Sequence, residues 1–153
     1  MTHLDPLDLK ILRTLQKRGD ISQVALAEAV GSSPASCWRR LKALEDSGVF
    51  GPVVRLLNPA ALGKTLDVIC QVRMKEHNVE ARTAFETFIL NREEVLECLS
   101  VSGEWDYQLR LIVTDMAEYE NFLMNRLLRH PSVGTSSSHF ALKRIKYTTE
   151  IPL

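Results

Sequence analysis

Residues 1–50 carry apolar side chains at the three- and four-residue spacing of amphipathic helices. Asp5-Pro6 predicts the start of a first helix, because aspartate can cap a helix and proline suits its first position. The pattern predicts that this helix ends near Gly19. Its apolar face is formed by Leu7, Ile11, Leu12 and Leu15.

Two further helices are predicted between Ser22 and Gly48, and the junction between them is short. The second helix is capped by Ser22 and ends at Gly31, since glycine tolerates the left-handed conformation that follows many helices. Ser33-Pro34 then starts the third helix at once. Three helices with such a tight junction are typical of a helix-turn-helix.

The pattern changes after residue 52, where alternation of apolar and polar positions replaces helical spacing. From there the chain is predicted to run strand, helix, strand, strand, helix, strand. The predicted elements are 65–74, 79–90, 95–101, 107–113, a helix capped by Asp115, and a strand within 136–147. This order is the βαββαβ pattern of a ferredoxin-like fold, so the predicted fold class is α+β.

The predicted domains are a helical domain at 1–52, a linker with a strand-like start at 53–63, and a sheet domain at 64–153. A ferredoxin-like unit covers only one face of its sheet with helices. Because 66–74 and 107–113 alternate with apolar residues, part of the bare face is expected to need a partner. Homodimerisation through this sheet is the leading hypothesis.

Charge and composition restrict the possible functions. The 153 residues balance 19 Lys and Arg against 19 Asp and Glu, so any binding to phosphate must come from local placement of charge. On the predicted third helix cationic and small residues come first, and Glu45 and Asp46 come last. The leading end therefore suits a phosphate-lined groove, although a solvated helix with ordinary capping is the alternative.

The sequence predicts neither a metal site nor a cofactor. The three cysteines form no C-x-x-C pair and are interpreted as free thiols in a reducing cytosol. No metal-ligand spacing connects the four histidines, His3, His77, His130 and His139. A signal peptide and a run of about 18 apolar residues are both absent, so a cytoplasmic protein without a membrane span is expected.

Two sets of short motifs cover essentially the whole chain. In the first half they are Leu4-Asp5-x-x-Asp8-x-x-Ile11-Leu12-x-x-Leu15-Gln16 and Leu26-Ala27-x-x-Val30-Gly31-x-Ser33-Pro34-x-x-Cys37-x-x-Arg40. In the second half they are Gly103-Glu104-x-Asp106-Tyr107, Pro131-x-Val133 and Lys146-x-Thr148-Thr149-x-Ile151-Pro152-Leu153. Through these motifs the sequence resembles the Lrp/AsnC (feast/famine) family of bacterial and archaeal transcription regulators.

This resemblance implies a winged helix-turn-helix whose third helix enters the major groove of double-stranded DNA. The DNA-binding residues that it implies are Ser33, Ser36, Trp38, Arg39, Arg40 and Lys42. Arg40 has an alternative role, because the family's arginine at this position can orient the helix through contacts within the domain. Arg39 and Ser36 are therefore the favoured base readers.

The resemblance also implies an effector site, typically for an amino acid, where dimers meet and assemble into tetramers or octamers. The implied residues are Ser102, Gly103, Glu104, Asp106, Ser136 and Ser138. Asp106 or Glu104 can accept from the ammonium group of an amino acid, and Gly103 and the serines can donate to its carboxylate. The alternative is a plain hairpin loop in which Asp106 satisfies only its own backbone.

Two other functions are disfavoured. Sirohaem decarboxylases use the same two-domain arrangement, but 102–109 lacks the histidine expected in their active-site segment. An RNA-binding ferredoxin-like module would need exposed aromatic residues on its sheet, whereas the predicted strands are mainly aliphatic. Pro52, Trp38 and Ser132 depart from the usual Lrp/AsnC pattern, and Trp38 leaves the DNA target open. The sequence thus favours a DNA-binding regulator that a small effector controls through oligomeric state.

Overall fold

The computed structural model describes residues 4–153, which form two compact units. The first unit, here called the helical unit, extends to Leu56 and also includes Lys146–Leu153. The second, here called the sheet unit, is Leu57–Ile145. The chain therefore leaves the helical unit once and returns to it once.

The helical unit contains the three helices that the sequence predicts. They are α1 at Pro6–Lys17, α2 at Gln23–Val30 and α3 at Pro34–Asp46. Side chains of Asp5, Ser22 and Ser33 cap the three helices in turn. Gly31 ends α2 in the left-handed conformation at φ 72°, as its position predicts. The core is formed by Ile11, Leu12, Leu26, Ala27, Val30, Cys37 and Leu44.

The sheet unit is an antiparallel sheet with strand order β2-β3-β1-β4, which confirms the ferredoxin-like prediction. Its elements are β1 at Leu66–Met74, α4 at Val79–Leu90, β2 at Val95–Ser100, β3 at Tyr107–Val113, α5 at Met116–Phe122 and β4 at Val133–Phe140. A 3-10 turn at Ala60–Leu62 precedes β1, and a π-helical turn at Leu123–Leu127 follows α5.

The apolar sides of β1 and β3 face the two helices. The strand residues buried there are Val68, Cys70, Val72, Met74, Tyr107, Leu109, Leu111 and Val113. They pack against Phe85 of α4 and Tyr119 of α5, among other residues. The opposite face of β1 carries Asp67, Ile69, Gln71 and Arg73, because side chains alternate along a strand. The alternating apolar residues on which the expectation of a bare apolar face rests thus face the helices, and the open face of β1 is mostly polar with Ile69 among its residues. Homodimerisation through this sheet stays a prediction.

The linker does not form the predicted strand. Residues 53–57 have no strand pairing with any other described segment. Val53 is 86% exposed and Leu57 is 72% exposed. A strand requires a neighbour that offers N–H and C=O groups along its edge, and a single copy of the chain supplies none here. Its apolar composition alone was misleading.

The last strand begins earlier than the sequence predicts, at Val133, and ends at Phe140. Its register with β1 shifts between Arg73 and Met74. Gly134 lies against this bulge, where an added Cβ would come 3.2 Å from the carbonyl oxygen of Arg73. A larger residue would require the backbone of β1 to shift by a few tenths of an ångström, so glycine suits this unpaired position of the bulge.

The final segment Lys146–Leu153 groups with the helical unit, whereas the predicted domain 64–153 includes it. The reason is that side chains of α1 hydrogen-bond to its backbone. The boundaries predicted at residues 52 and 64 stay predictions.

Candidate DNA-binding and effector-binding sites

The start of α3 is fixed by the junction that precedes it. The Ser33 hydroxyl accepts a hydrogen bond from the N–H of Ser36 at 3.3 Å, and Pro34 occupies the first helical position. The next turn presents Trp38, which is 54% exposed, and the exposed Arg39. Arg39 forms no hydrogen bond or ion pair with any residue from 4 to 153. Its guanidinium is therefore available to a partner.

Arg40, the next residue, points to its own unit. Its Nη1 lies 2.5 Å from Oδ2 of Asp5 and 2.8 Å from Oδ1 of Asp8. The N–H of Asp8 and the Arg40 guanidinium both lower the pKa of Asp5 by hydrogen bonding to its carboxylate. Nε of Arg40 is buried and has no hydrogen-bond partner among residues 4–153. Arg40 thus connects α3 to the capped start of α1.

Lys42 is exposed but engaged along its own helix. Its Nζ lies 3.3 Å from Oδ1 of Asp46 and 3.7 Å from Oε2 of Glu45. These are pairs of exposed side chains at helical spacing, which contribute little to stability and are easily exchanged for another anion. The implied DNA-binding residues thus divide into exposed groups, a helix cap and the internally paired Arg40.

The turn between β2 and β3 contains four of the six implied effector residues. Ser102 and Gly103 are exposed, and Gly103 has a φ of 114°, which L side chains rarely adopt. Arg73 binds the turn from β1, because its Nη2 donates to Oε1 of Glu104 at 2.7 Å and its Nε donates to the Glu104 carbonyl at 3.1 Å. The same guanidinium lies 5.1 Å from the centre of the Trp105 ring.

Asp106 anchors the other end of this turn. Its Oδ2 accepts a hydrogen bond from the N–H of Met74 at 2.7 Å. That N–H belongs to the residue of β1 at which the register with β4 shifts, opposite the extra residue Gly134 of β4. Nε2 of His77 lies 3.4 Å from the second oxygen, Oδ1. Asp106 thus satisfies a backbone group of β1 with one oxygen and lies next to the exposed imidazole of His77 with the other.

Ser136 and Ser138 lie on β4, which pairs with β1 and not with the two strands that the turn connects. They stand opposite Val72 and Cys70 of β1, on the side of the sheet that the helices cover. The hydroxyls of Ser138 and Tyr119 hydrogen-bond to each other. Burial raises the pKa of Tyr119, so this phenol stays neutral. The structure therefore brings the turn residues together and leaves Ser138 in a separate, internal contact.

Sequence reasoning missed Arg73 and His77. The signal for Arg73 was a cation at the end of an otherwise apolar alternation, which alone predicts only an outward-facing side chain. His77 follows β1 in a loop, and nothing in the sequence links it to Asp106. The contact of Arg73 with Glu104 and that of His77 with Asp106 depend on the pairing of β1 with β3 and on the register shift between β1 and β4.

No group of three or more His, Cys, Asp or Glu residues between 4 and 153 is arranged to hold a metal ion, and His3 lies outside that range. Cys37 and Cys70 are buried, and burial raises the pKa of both thiols. None of the helices described is long and apolar enough to cross a membrane.

Family models match both units of the chain. Residues 4–50 match a model described as winged helix-turn-helix DNA-binding. Residues 67–151 match a model described as the Lrp/AsnC ligand binding domain. Both matched domains are regulatory, and the curated relatives are named as regulators, which confirms the prediction that the chain is not an enzyme.

Individual relatives match along nearly the whole chain. The DNA-binding transcriptional activator DecR of Escherichia coli K12 is 37% identical, with 98% of this chain and 99% of that protein covered. The leucine-responsive regulatory protein of Haemophilus influenzae is 39% identical, with 98% and 90% covered. The structure of a Neisseria meningitidis transcriptional regulator in complex with L-Met has a TM-score of 0.95 at 39% identity, with 98% and 97% covered.

Proposed function

Because the chain belongs to the Lrp/AsnC family of transcriptional regulators, we propose that α3 reads double-stranded DNA through Ser36, Trp38 and Arg39. One observation carries this proposal. Of the two adjacent arginines on α3, Arg40 is held by carboxylates of α1, whereas Arg39 is exposed and unpaired among residues 4–153. An exposed arginine near the start of a recognition helix can reach a phosphate or the O6 and N7 atoms of guanine.

The other implied residues support this surface. Ser33 caps α3, so its role is to hold the helix start close to a DNA phosphate. Lys42 can exchange its two carboxylate partners for a phosphate. Arg40 sets the angle of α3 on α1 and so positions Arg39.

The experiment measures the Kd for a duplex that carries a palindrome-like site from the chain's own promoter, by fluorescence anisotropy over a range of salt concentrations. Arg39→Ala should weaken binding about tenfold and reduce the slope of log Kd against log salt by about one. Arg129→Ala is the control, since Arg129 is exposed in the sheet unit without a partner among residues 4–153. Unchanged affinity and slope in Arg39→Ala would refute the assignment.

We propose that the effector is an amino acid and that it binds at the turn formed by 102–106. The N–H of Gly103 and the hydroxyl of Ser102 can donate to its carboxylate, and Glu104 or Oδ1 of Asp106 can accept from its ammonium group. The complex of the Neisseria relative with L-Met supports this class of ligand. Ser136 and Ser138 remain secondary candidates, because both lie on the helix side of β4.

A thermal-shift screen of the twenty amino acids tests the effector site. At saturating concentration the effector should raise the melting temperature by a few degrees, because it binds only the folded chain. Asp106→Ala should abolish this shift and leave DNA binding in place. Glu120→Ala removes an exposed carboxylate of α5 and should respond like the wild type. Loss of folding in Asp106→Ala would favour the purely structural role of its bond to Met74.

We propose that the working species is a homodimer that assembles into tetramers or octamers, and that the effector shifts this balance. The exposed linker supports self-association, because its apolar residues and backbone groups at 53–57 lack a strand partner among the described residues. Sedimentation velocity with and without L-methionine tests the proposal. The Val53→Lys variant should form an assembly of lower mass than the wild type. A wild type that is monomeric at micromolar concentration would contradict the proposed oligomer.

A further inference from the structure

The side chain of Gln16 on α1 pairs with the backbone of Ile151. Its Nε2 donates to the carbonyl oxygen of Ile151 at 3.0 Å, and its Oε1 accepts from the N–H of Ile151 at 2.5 Å. Both backbone groups of one residue are thus satisfied by a single amide, as in an antiparallel pair of strands. A side chain that satisfies both groups fixes the position and the direction of the segment that it holds.

Two neighbours of Gln16 add to this contact. Nη2 of Arg13 donates to the main-chain oxygen of Leu153 at 2.6 Å, and its Nε donates to the same oxygen at 3.2 Å. Nζ of Lys17 lies 3.7 Å from Oε2 of Glu150. Arg13, Gln16 and Lys17 share one face of α1, because they are three and four residues apart. We call this set of contacts the tail clasp.

The tail clasp gives the sheet unit a second attachment to the helical unit. The first attachment is the linker that leaves after Leu56, and the second is the chain that follows β4 and returns at Lys146. Without the clasp, the segment Lys146–Leu153 would have no attachment to α1. With it, the chain that follows β4 is fixed at its far end to α1.

The two ends of α1 have different partners. Near its C-terminal end Gln16 holds the tail, and at its N-terminal end Asp5 and Asp8 hold Arg40 of α3. Ile11, between them, is fully buried in the helical core. A helix fixed at both ends and in the middle moves as a rigid element, so tension on the tail would reorient α1 and α3 together.

We propose that Gln16 is a positioning residue of the effector response, which it transmits by fixing the tail to α1. The inference rests on the proposed function, since it assumes that an amino acid bound in the sheet unit changes DNA affinity. Gln16 lies outside the residues to which DNA binding and effector binding are assigned above. Its loss uncouples the two events and leaves each of them intact.

Two variants remove or alter the Gln16 contact of the tail clasp, and a third serves as control. Gln16→Ala removes both hydrogen bonds to Ile151. Gln16→Glu keeps the size of the side chain but places a carboxylate against the carbonyl oxygen, which repels it. Thr14→Ala also removes a hydrogen bond on α1, but that bond goes from Oγ1 to the carbonyl oxygen of Lys10 in the same helix. All variants are made in the full chain.

Hydrogen exchange of the segment Lys146–Leu153 reports whether the tail is held. The Kd for promoter DNA, measured with and without saturating L-methionine or any stronger ligand of the amino-acid screen, reports the response. Gln16→Ala should exchange the Ile151 N–H faster than wild type, and both Gln16 variants should bind DNA within about threefold of wild type. In wild type and Thr14→Ala, adding effector should change the Kd about fivefold or more. In the Gln16 variants this ratio of Kd values should fall towards one.

Several results would overturn the proposal. One is a wild-type response to effector in Gln16→Ala despite faster exchange of the tail. Another is unchanged exchange, because the clasp would then hold nothing in solution. Loss of DNA binding without effector would show that Gln16 supports the reading surface itself. If no amino acid alters the DNA affinity of the wild type, the proposed effector function fails, and this inference fails with it.

Discussion

At the scale of single residues, two adjacent arginines of α3 have different surroundings. Successive residues of a helix point about 100° apart, so Arg39 and Arg40 cannot share one face. Arg40 turns towards the carboxylates of Asp5 and Asp8, and Arg39 turns to the surface. The sequence left both roles open for Arg40, because the partner carboxylates lie on another helix and only packing brings them together.

This division predicts that Arg40→Ala lowers the melting temperature of the helical unit by a few degrees, whereas Arg39→Ala leaves it unchanged. Removing Arg40 leaves two carboxylates close together without their shared cation. The folded pKa of Asp5 lies below its ordinary 3.8, so the pair stabilises the fold above that pH, and its contribution is lost as pH falls through the folded pKa. The melting temperatures of both variants and the wild type are measured by circular dichroism between pH 3 and 7. Equal melting curves for Arg40→Ala and wild type at neutral pH would contradict the assignment.

At the scale of elements, periodicity and caps predicted most of the fold. The bounds of α4 and β3 are the predicted 79–90 and 107–113, because both carry an unbroken pattern between clear capping or turn residues. The linker 53–57 was predicted as a strand from composition, which says nothing about whether a partner strand is present. The start of β4 was missed because Gly134 and the serines after it give no apolar alternation.

The start of α5 shows how a cap can combine with an ion pair. Asp115 accepts from the N–H of Glu118 at 2.9 Å, as the capping motif predicts. The carboxylate of Glu118 accepts from the N–H of Thr114 at 2.6 Å and from Nζ of Lys64 at 2.8 Å. The hydrogen bond from Lys64, followed by that from Thr114, lowers the pKa of Glu118 to about 2.

Glu118→Gln should therefore destabilise the sheet unit near neutral pH, by at most about 1 kcal/mol because the ion pair is more than a third exposed. The lowered pKa means that the charge stabilises the fold fully above the ordinary value of 4.5 and progressively less as pH falls towards 2. The difference in unfolding free energy between variant and wild type should shrink over that range. Denaturant titrations at a series of pH values measure it, and a difference independent of pH would exclude the charge as its cause.

At the scale of the whole molecule, two units with separate cores are linked twice along one chain. The sequence predicted both units, but it could not predict the contacts that join distant segments. Arg73 reaches Glu104 across neighbouring strands, and Gln16 reaches Ile151 from the other end of the chain. Such contacts depend on register, on the bulge in β4 opposite Arg73 and Met74, and on the path of the tail, none of which a local pattern encodes.

The central claim is that the sheet unit senses an amino acid and thereby changes how the helical unit binds DNA. The most direct test is the Kd of the wild-type chain for its own promoter DNA, measured at fixed salt with and without each of the twenty amino acids. We expect DNA binding that at least one of them, L-methionine among the candidates, changes about fivefold or more. Binding that all twenty leave unchanged, or no DNA binding even at low ionic strength, would contradict the account.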